Sequence, residues 1–85
     1  MLNRTDVREL VTREIQTLLE EAFLEPTELN GDDNLILLGF NSLMLARLVV
    51  ELDRALEVDP FASEQAQISD IHTIGDVVRA YSAAV

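Results

Sequence analysis

The sequence predicts an all-α domain, a small four-helix bundle of three main helices and one short helix, with a long loop between helices 1 and 2. Three observations carry this. Apolar residues recur at three- and four-residue spacing in three separate stretches, the signature of helices that bury one face. No segment alternates with period two, so the chain offers no pair of strands. Hydrophobic residues make up 48% of the chain against 3 Gly and 2 Pro, which is the composition of a folded domain. At 85 residues there is room for one apolar core, so residues 1–85 are read as a single domain.

Helix 1 is expected from about Asp6 to Ala22, because Val7, Leu10, Val11, Ile15, Leu18, Leu19 and Ala22 share a face. Thr5 or Asp6 can cap it, with Glu9 three residues after Asp6 completing a capping-box-like start. Pro26 ends any continuation, and Leu24-Glu25-Pro26 should be extended, since the residue before a proline avoids the α region. The turn formers from Glu28 to Asn34 then open a long loop that runs through Leu35-Ile36-Leu37-Leu38 to Gly39-Phe40. The apolar run has strand propensity, but without a partner strand it should fold back over the core as a loop. Such long loops are often functional in small domains.

Helix 2 is expected from Ser42 to about Glu57, capped by Asn41, with Leu45, Leu48, Val49, Leu52 and Leu56 facing the core and Asp59-Pro60 closing it. A short helical turn is expected from Ser63 to Ile68. The last helix should start near Thr73, with Ile74, Val77, Val78 and Tyr81 on one stripe and Asp76 favourably placed in its first turn.

Composition excludes several function classes. There are 16 acidic residues against 6 basic ones, all of them Arg, giving a net charge of -10. No basic patch can be assembled for phosphate neutralisation, so nucleic acid is not the partner. An anionic membrane surface is disfavoured for the same reason. The absence of cysteine removes disulfides, thiolate metal sites and a cysteine nucleophile together. The N-terminus lacks the apolar stretch of a signal peptide and no apolar run approaches the ~20 residues of a membrane span, so a cytoplasmic monomer is expected.

Candidate catalytic groups are scarce. His72 is the single histidine, there is no Lys, and no nucleophile, base and orienting group fall together, so no catalytic residue is assigned. His72 reads as a surface or capping residue. Adjacent Asp32 and Asp33 could serve as acid and base but read better as solvated turn residues. Asn30, Asp32 and Asn34 occupy the first, third and fifth positions of a calcium-loop register. That register needs Gly and Glu where the chain has Leu35 and Asn41, so no metal site is expected.

What remains is Gly39-Phe40-Asn41-Ser42-Leu43, a turn that delivers a serine to the start of the strongest helix. Ser42 is a residue type favoured at helix starts, and a capping role alone explains it. A helix N-terminus also presents unpaired N–H groups and positive dipole character, so a phosphate on Ser42 would be stabilised there. Gly39 leaves the backbone beside that hydroxyl without a side chain. Helix 2 carries more apolar surface than one core needs: from Leu43 to Asp53 only Arg47, Glu51 and Asp53 are not apolar. With Leu45, Leu48, Val49 and Leu52 inward, Leu43, Met44, Arg47 and Val50 lie together on the opposite side. Beside Asn41 and Ser42 they form a candidate docking surface, unless another helix or the long loop covers them.

These residues resemble the acyl and peptidyl carrier protein family. The match runs from Asp33 and Leu35 through Leu38-Gly39-Phe40-Asn41-Ser42-Leu43, then Leu56-Glu57-Val58, to Ile74-Gly75-Asp76-Val77-Val78, and covers nearly the whole chain. The resemblance implies that a phosphopantetheinyl transferase attaches phosphopantetheine from coenzyme A to Ser42. The hydroxyl attacks a pyrophosphate phosphorus while magnesium on the transferase stabilises the charge. The arm supplies the thiol this chain lacks and holds aminoacyl or acyl groups as thioesters. Loading enzymes, adenylating or acyl-transferring, and downstream synthase or tailoring enzymes would do the chemistry. Met44 and Arg47 stand where fatty-acid carriers tend to have acidic residues, so helix 2 looks like that of peptidyl carriers, while the acidity resembles discrete carriers. A discrete carrier in a natural-product pathway is the expectation. Asn41 departs from the Asp that fatty-acid carriers commonly place before the serine; it caps equally well but is a weaker magnesium ligand. From another class, a non-enzymatic helical adaptor would use the same apolar strip with Ser42 only as a cap.

Overall fold

Three α-helices form where the apolar spacing is helical, and the computed structural model describes residues 4–24 and 28–85. Helix α1 is Arg4–Glu21, α2 is Ser42–Leu56 and α3 is Ile74–Ala84, with a 3-10 turn at Ile68–Asp70 before the last. The chain is all-α among the described residues, its one extended feature being an isolated antiparallel bridge between Asn34 and Thr73. The proline stop at Pro26 and the extended Glu25 before it lie outside the described residues.

Helix α1 begins earlier than its capping pattern suggests. Thr5 and Asp6 both lie within it, so neither is the cap, and Asp6 places negative charge in the first turn instead. Asp6 is exposed, and Val7 is the first of the described side chains to be buried. At its other end the Phe23 N–H donates to the Glu20 carbonyl (3.0 Å) and the Leu24 N–H to the Leu19 carbonyl (2.9 Å). This closes a Schellman motif, with Phe23 in the left-handed region at φ 60°. Helix α2 also ends on a left-handed residue, Glu57 at φ 56°, with its N–H and that of Val58 (3.2 Å) both donating to the Asp53 carbonyl.

Val7, Val11, Ile15, Leu18 and Leu19 of α1 meet Met44, Leu48, Leu52 and Leu56 of α2 and Ile74, Val77, Val78 and Tyr81 of α3 in one aliphatic core. Leu35 and Phe40 roof it from the long loop. Helix α1 packs on both other helices. The radius of gyration is 11.8 Å, matching the ~12 Å expected for a compact chain of this size.

Three expectations need correction. Met44 is buried in the core and does not belong to an outward strip; its stripe continues through Leu48, Leu52 and Leu56 at four-residue spacing. Leu45 and Val49, expected inside, are half-buried, because α1 covers the Met44 side of α2 while only the thin segment with Phe61 and Ile68 flanks the other. The short helix over Ser63 to Ile68 is not formed either. Turns occupy that stretch and the 3-10 element follows it, as Ser63 to Gln67 offer no apolar face for a helix to bury.

The apolar run after Asn34 folds back as turns, with Leu35 inserted and Ile36 and Leu37 left outside. Its anchor is the start of α3. The Leu35 N–H donates to the His72 carbonyl (2.9 Å), Ile74 N–H to Asp33 (3.1 Å) and Gly75 N–H to Gly31 (2.9 Å). A β-carbon at Gly75 would stand 3.1 Å from the Gly31 carbonyl oxygen, so this close approach depends on glycine.

Candidate functional site

Ser42 is the first residue of α2 and is exposed. Two local features fix it there. Asn41 adopts extended backbone (φ -122°, ψ -179°) and its Oδ1 accepts the Met44 N–H at 2.9 Å, satisfying one donor of the first turn. Phe40 is buried under the loop, its N–H donating to the Leu35 carbonyl at 3.0 Å, which pins the chain immediately before the helix. Asn41 is therefore the cap that the sequence indicates, and Ser42 needs no capping role of its own. Its hydroxyl projects from the positive end of a helix, where an anion is stabilised.

Gly39 matters for a reason different from the open backbone expected of it. Its φ is +106°, and a β-carbon would lie 2.5 Å from Leu24 Cδ1. The glycine lets the turn before Ser42 reverse while the end of α1 closes over it.

Two hollows flank the hydroxyl. One, about 330 Å³, is lined by Leu35, Ile36, Phe40, Asn41, Ser42, Leu45, Ile71 and His72. The other, about 430 Å³, is lined by Ser42, Leu45, Ala46, Val49, Val50, Phe61 and Ile68. Leu45 and Ser42 are common to both, so half-burial of Leu45 is what opens apolar walls on each side of the serine. The structure brings Asn41, Ser42 and Val50 to this end of the molecule and leaves Leu43 and Val50 exposed, while Met44 points away into the core.

Arg47 is exposed but not unengaged. Its guanidinium donates to Glu21 Oε1 at 3.3 Å, joining the end of α1 to the first half of α2. Both side chains are about half exposed, so the pair positions the elements more than it stabilises them. His72 is exposed, and its backbone carries the structural role: the N–H donates to Asp76 Oδ2 (2.9 Å) and the carbonyl accepts from Leu35. Asp33 and Asn34 are also committed locally, accepting the Asn30 N–H (2.8 Å) and the Ile36 N–H (2.9 Å). No group of three acidic or histidine side chains suited to a metal occurs among the described residues.

Behind the site, Tyr81 donates its hydroxyl to Asp53 Oδ1 at 2.7 Å and packs edge-on against Phe61, 5.9 Å between ring centres. Burial first, then the Asp53 hydrogen bond and charge, push the phenol well above its ordinary value. Tyr81 thereby ties α3 to α2 and to the segment that walls the second hollow. The exposed apolar residues Phe23, Ile36 and Leu37 are not legible from spacing, since each belongs to a loop or turn without periodicity.

The family described as phosphopantetheine attachment site matches residues 9–80. The chain belongs to that family of carrier proteins. No match was found among curated proteins, and none among solved structures. The family's prosthetic group is phosphopantetheine, held covalently, and carriers of this kind are generally non-catalytic. The residues of this carrier fit such a group: an exposed hydroxyl at a helix N-terminus suits a phosphodiester, and apolar hollows lie on either side of it. When bound, the group supplies a terminal thiol for thioester formation. No helix among the described residues is long and apolar enough to cross a membrane.

Proposed function

We propose that Ser42 is the attachment residue and that the holo-protein shuttles thioester-bound aminoacyl or acyl intermediates between partner enzymes. The observation that carries this is the exposed hydroxyl at the first position of α2, in a chain belonging to the carrier family and capped independently by Asn41. Because the cap is on Asn41, conservation of fold does not require a hydroxyl at residue 42, which leaves chemistry as its use. The role of the protein is to present that oxygen: Phe40 and Gly39 set the turn, and the helix N-terminus stabilises the negative charge of the linkage. The protein itself is non-catalytic, and its partners are a phosphopantetheinyl transferase, an adenylating or acyl-transferring loading enzyme, and downstream synthase or tailoring enzymes.

A natural-product pathway is the context we favour, in the cytoplasm, with a peptidyl-carrier-like second helix. Arg47 supports this reading, as a cation on the exposed face of α2 is unlike the acidic helix of fatty-acid carriers. Docking is assigned to Asn41, Leu43, Arg47 and Val50. Met44 has no surface to offer. Incubation with coenzyme A, magnesium and a broad-specificity transferase should raise the intact mass by one phosphopantetheine. Ser42→Ala should show no gain while keeping its helical circular dichroism. An equal gain in the variant would assign the modification elsewhere, and no gain in the wild type would favour the adaptor reading.

A further inference from the structure

We infer that Phe23, at the end of α1, is a docking anchor for the transferase that modifies Ser42, which rests on the carrier reading above. Phe23 breaks two local rules together. Its φ of 60° is the left-handed conformation that glycine adopts best at a helix end, and its ring is 95% exposed. Among the described residues nothing compensates, since the Schellman hydrogen bonds are backbone bonds that a glycine would make equally well. A residue that is wrong for the backbone and wrong for solvent is one selected for contact with another molecule.

Its position selects that molecule. Leu24, the next residue, closes over Gly39, and Gly39 is three residues before Ser42, a reach of at most ~11 Å. Two residues earlier, Glu21 is paired with Arg47, about two-thirds of the way along the ~11 Å first half of α2. These two links set Phe23 toward the serine end of α2, on the side of the Glu21–Arg47 pair, and exposed Leu43 lies one helical turn before Arg47 on the same face of α2. A protein that must reach the hydroxyl itself, before any arm extends it, has to approach this rim. Exposed Glu20, Glu21 and Glu28 surround the ring in sequence and the chain carries a charge of -10, so a second copy is repelled and a basic surface with an apolar pocket is the matching occupant. An exposed aromatic can supply the buried apolar anchor of an interface whose rim is polar.

Phe23→Gly and Phe23→Asn separate docking from folding because their two effects have opposite sign. Both relieve the left-handed backbone, so the urea midpoint should stay level or rise. Both remove the anchor, so kcat/KM for transfer from coenzyme A should fall about tenfold, mainly through KM. Phe23→Leu, which keeps an apolar side chain, should recover part of the loss. Unchanged kcat/KM in the glycine and asparagine variants would overturn the inference while leaving the carrier reading intact. A lowered urea midpoint would make Phe23 a structural residue and overturn it as well. Failure of the wild type to be modified would remove both, and a dimer in sedimentation that Phe23→Gly abolishes would assign the ring to self-association instead.

Discussion

Gly39 shows how one backbone angle sets the serine. At φ +106° any side chain is strained, and a β-carbon would also press on Leu24 Cδ1 at 2.5 Å. Leu24 is a partly exposed, flexible side chain and can yield, so the backbone term dominates, about 1–2 kcal/mol. Gly39→Ala should lower stability by that amount in urea titration. Gly31→Ala makes the control, because a β-carbon there meets only Arg8 Nη1 at 3.4 Å and should change stability by less than about 0.5 kcal/mol. Equal effects at the two positions would show that the turn before Ser42 is relaxed. The presence of Gly39 is plain in the sequence, but its reason is not: positive φ and the approach of Leu24 are tertiary facts.

At the scale of elements, helix starts were legible where a side chain caps its own backbone. Thr73 accepts the Asp76 N–H at 3.1 Å, and Asp76 Oδ2 accepts the N–H groups of Thr73 and His72, both at 2.9 Å. Asn41 likewise caps α2 within its own turn. Such contacts are local, so spacing alone reveals them. Helix rotation was not legible. With apolar residues nearly all round its first half, α2 could turn either Met44 or Leu45 and Val49 inward, and the choice was made by where α1 lies. Phe23 was invisible for the opposite reason, since the local preference at a helix end is for glycine. The capping box of α3 also gives a pH signature. Partial burial raises the Asp76 carboxyl, but the N–H groups of His72 and Thr73, the Thr73 hydroxyl and the charge of Arg79 outweigh it, and the group lies below its ordinary value of 3.8. A depressed folded value means the contribution is complete above the unfolded value and disappears as pH falls through the folded one. Asp76→Asn should therefore cost about 1 kcal/mol at neutral pH. The gap between wild type and variant should close as pH drops below 3.8. A gap that persists at pH 2 would mean the carboxylate charge is not what holds the cap.

Across the whole molecule, charge acts in two directions that salt can separate. The chain carries a net charge of -10 within extents of 31 × 23 × 21 Å. At about 0.01 M ionic strength the screening length is ~30 Å, comparable with the molecule itself, so every carboxylate repels every other. At about 0.15 M it shrinks to ~8 Å and only neighbours interact. Self-repulsion is greater in the compact state than in the unfolded chain, so added salt should raise the melting temperature. Steering toward a basic partner uses the same field, so kcat/KM for the transferase should fall over the same range, chiefly through slower association. The ion pairs Arg47–Glu21 and Arg79–Asp76 are each exposed on at least one side and do not reverse the stability trend. A melting temperature that rises while kcat/KM falls is the expected pair of curves. A kcat/KM that stays flat with salt would place the whole interface on the apolar residues Phe23, Leu43 and Val50, and the acidic surface would then serve the fold's solubility and not its recognition.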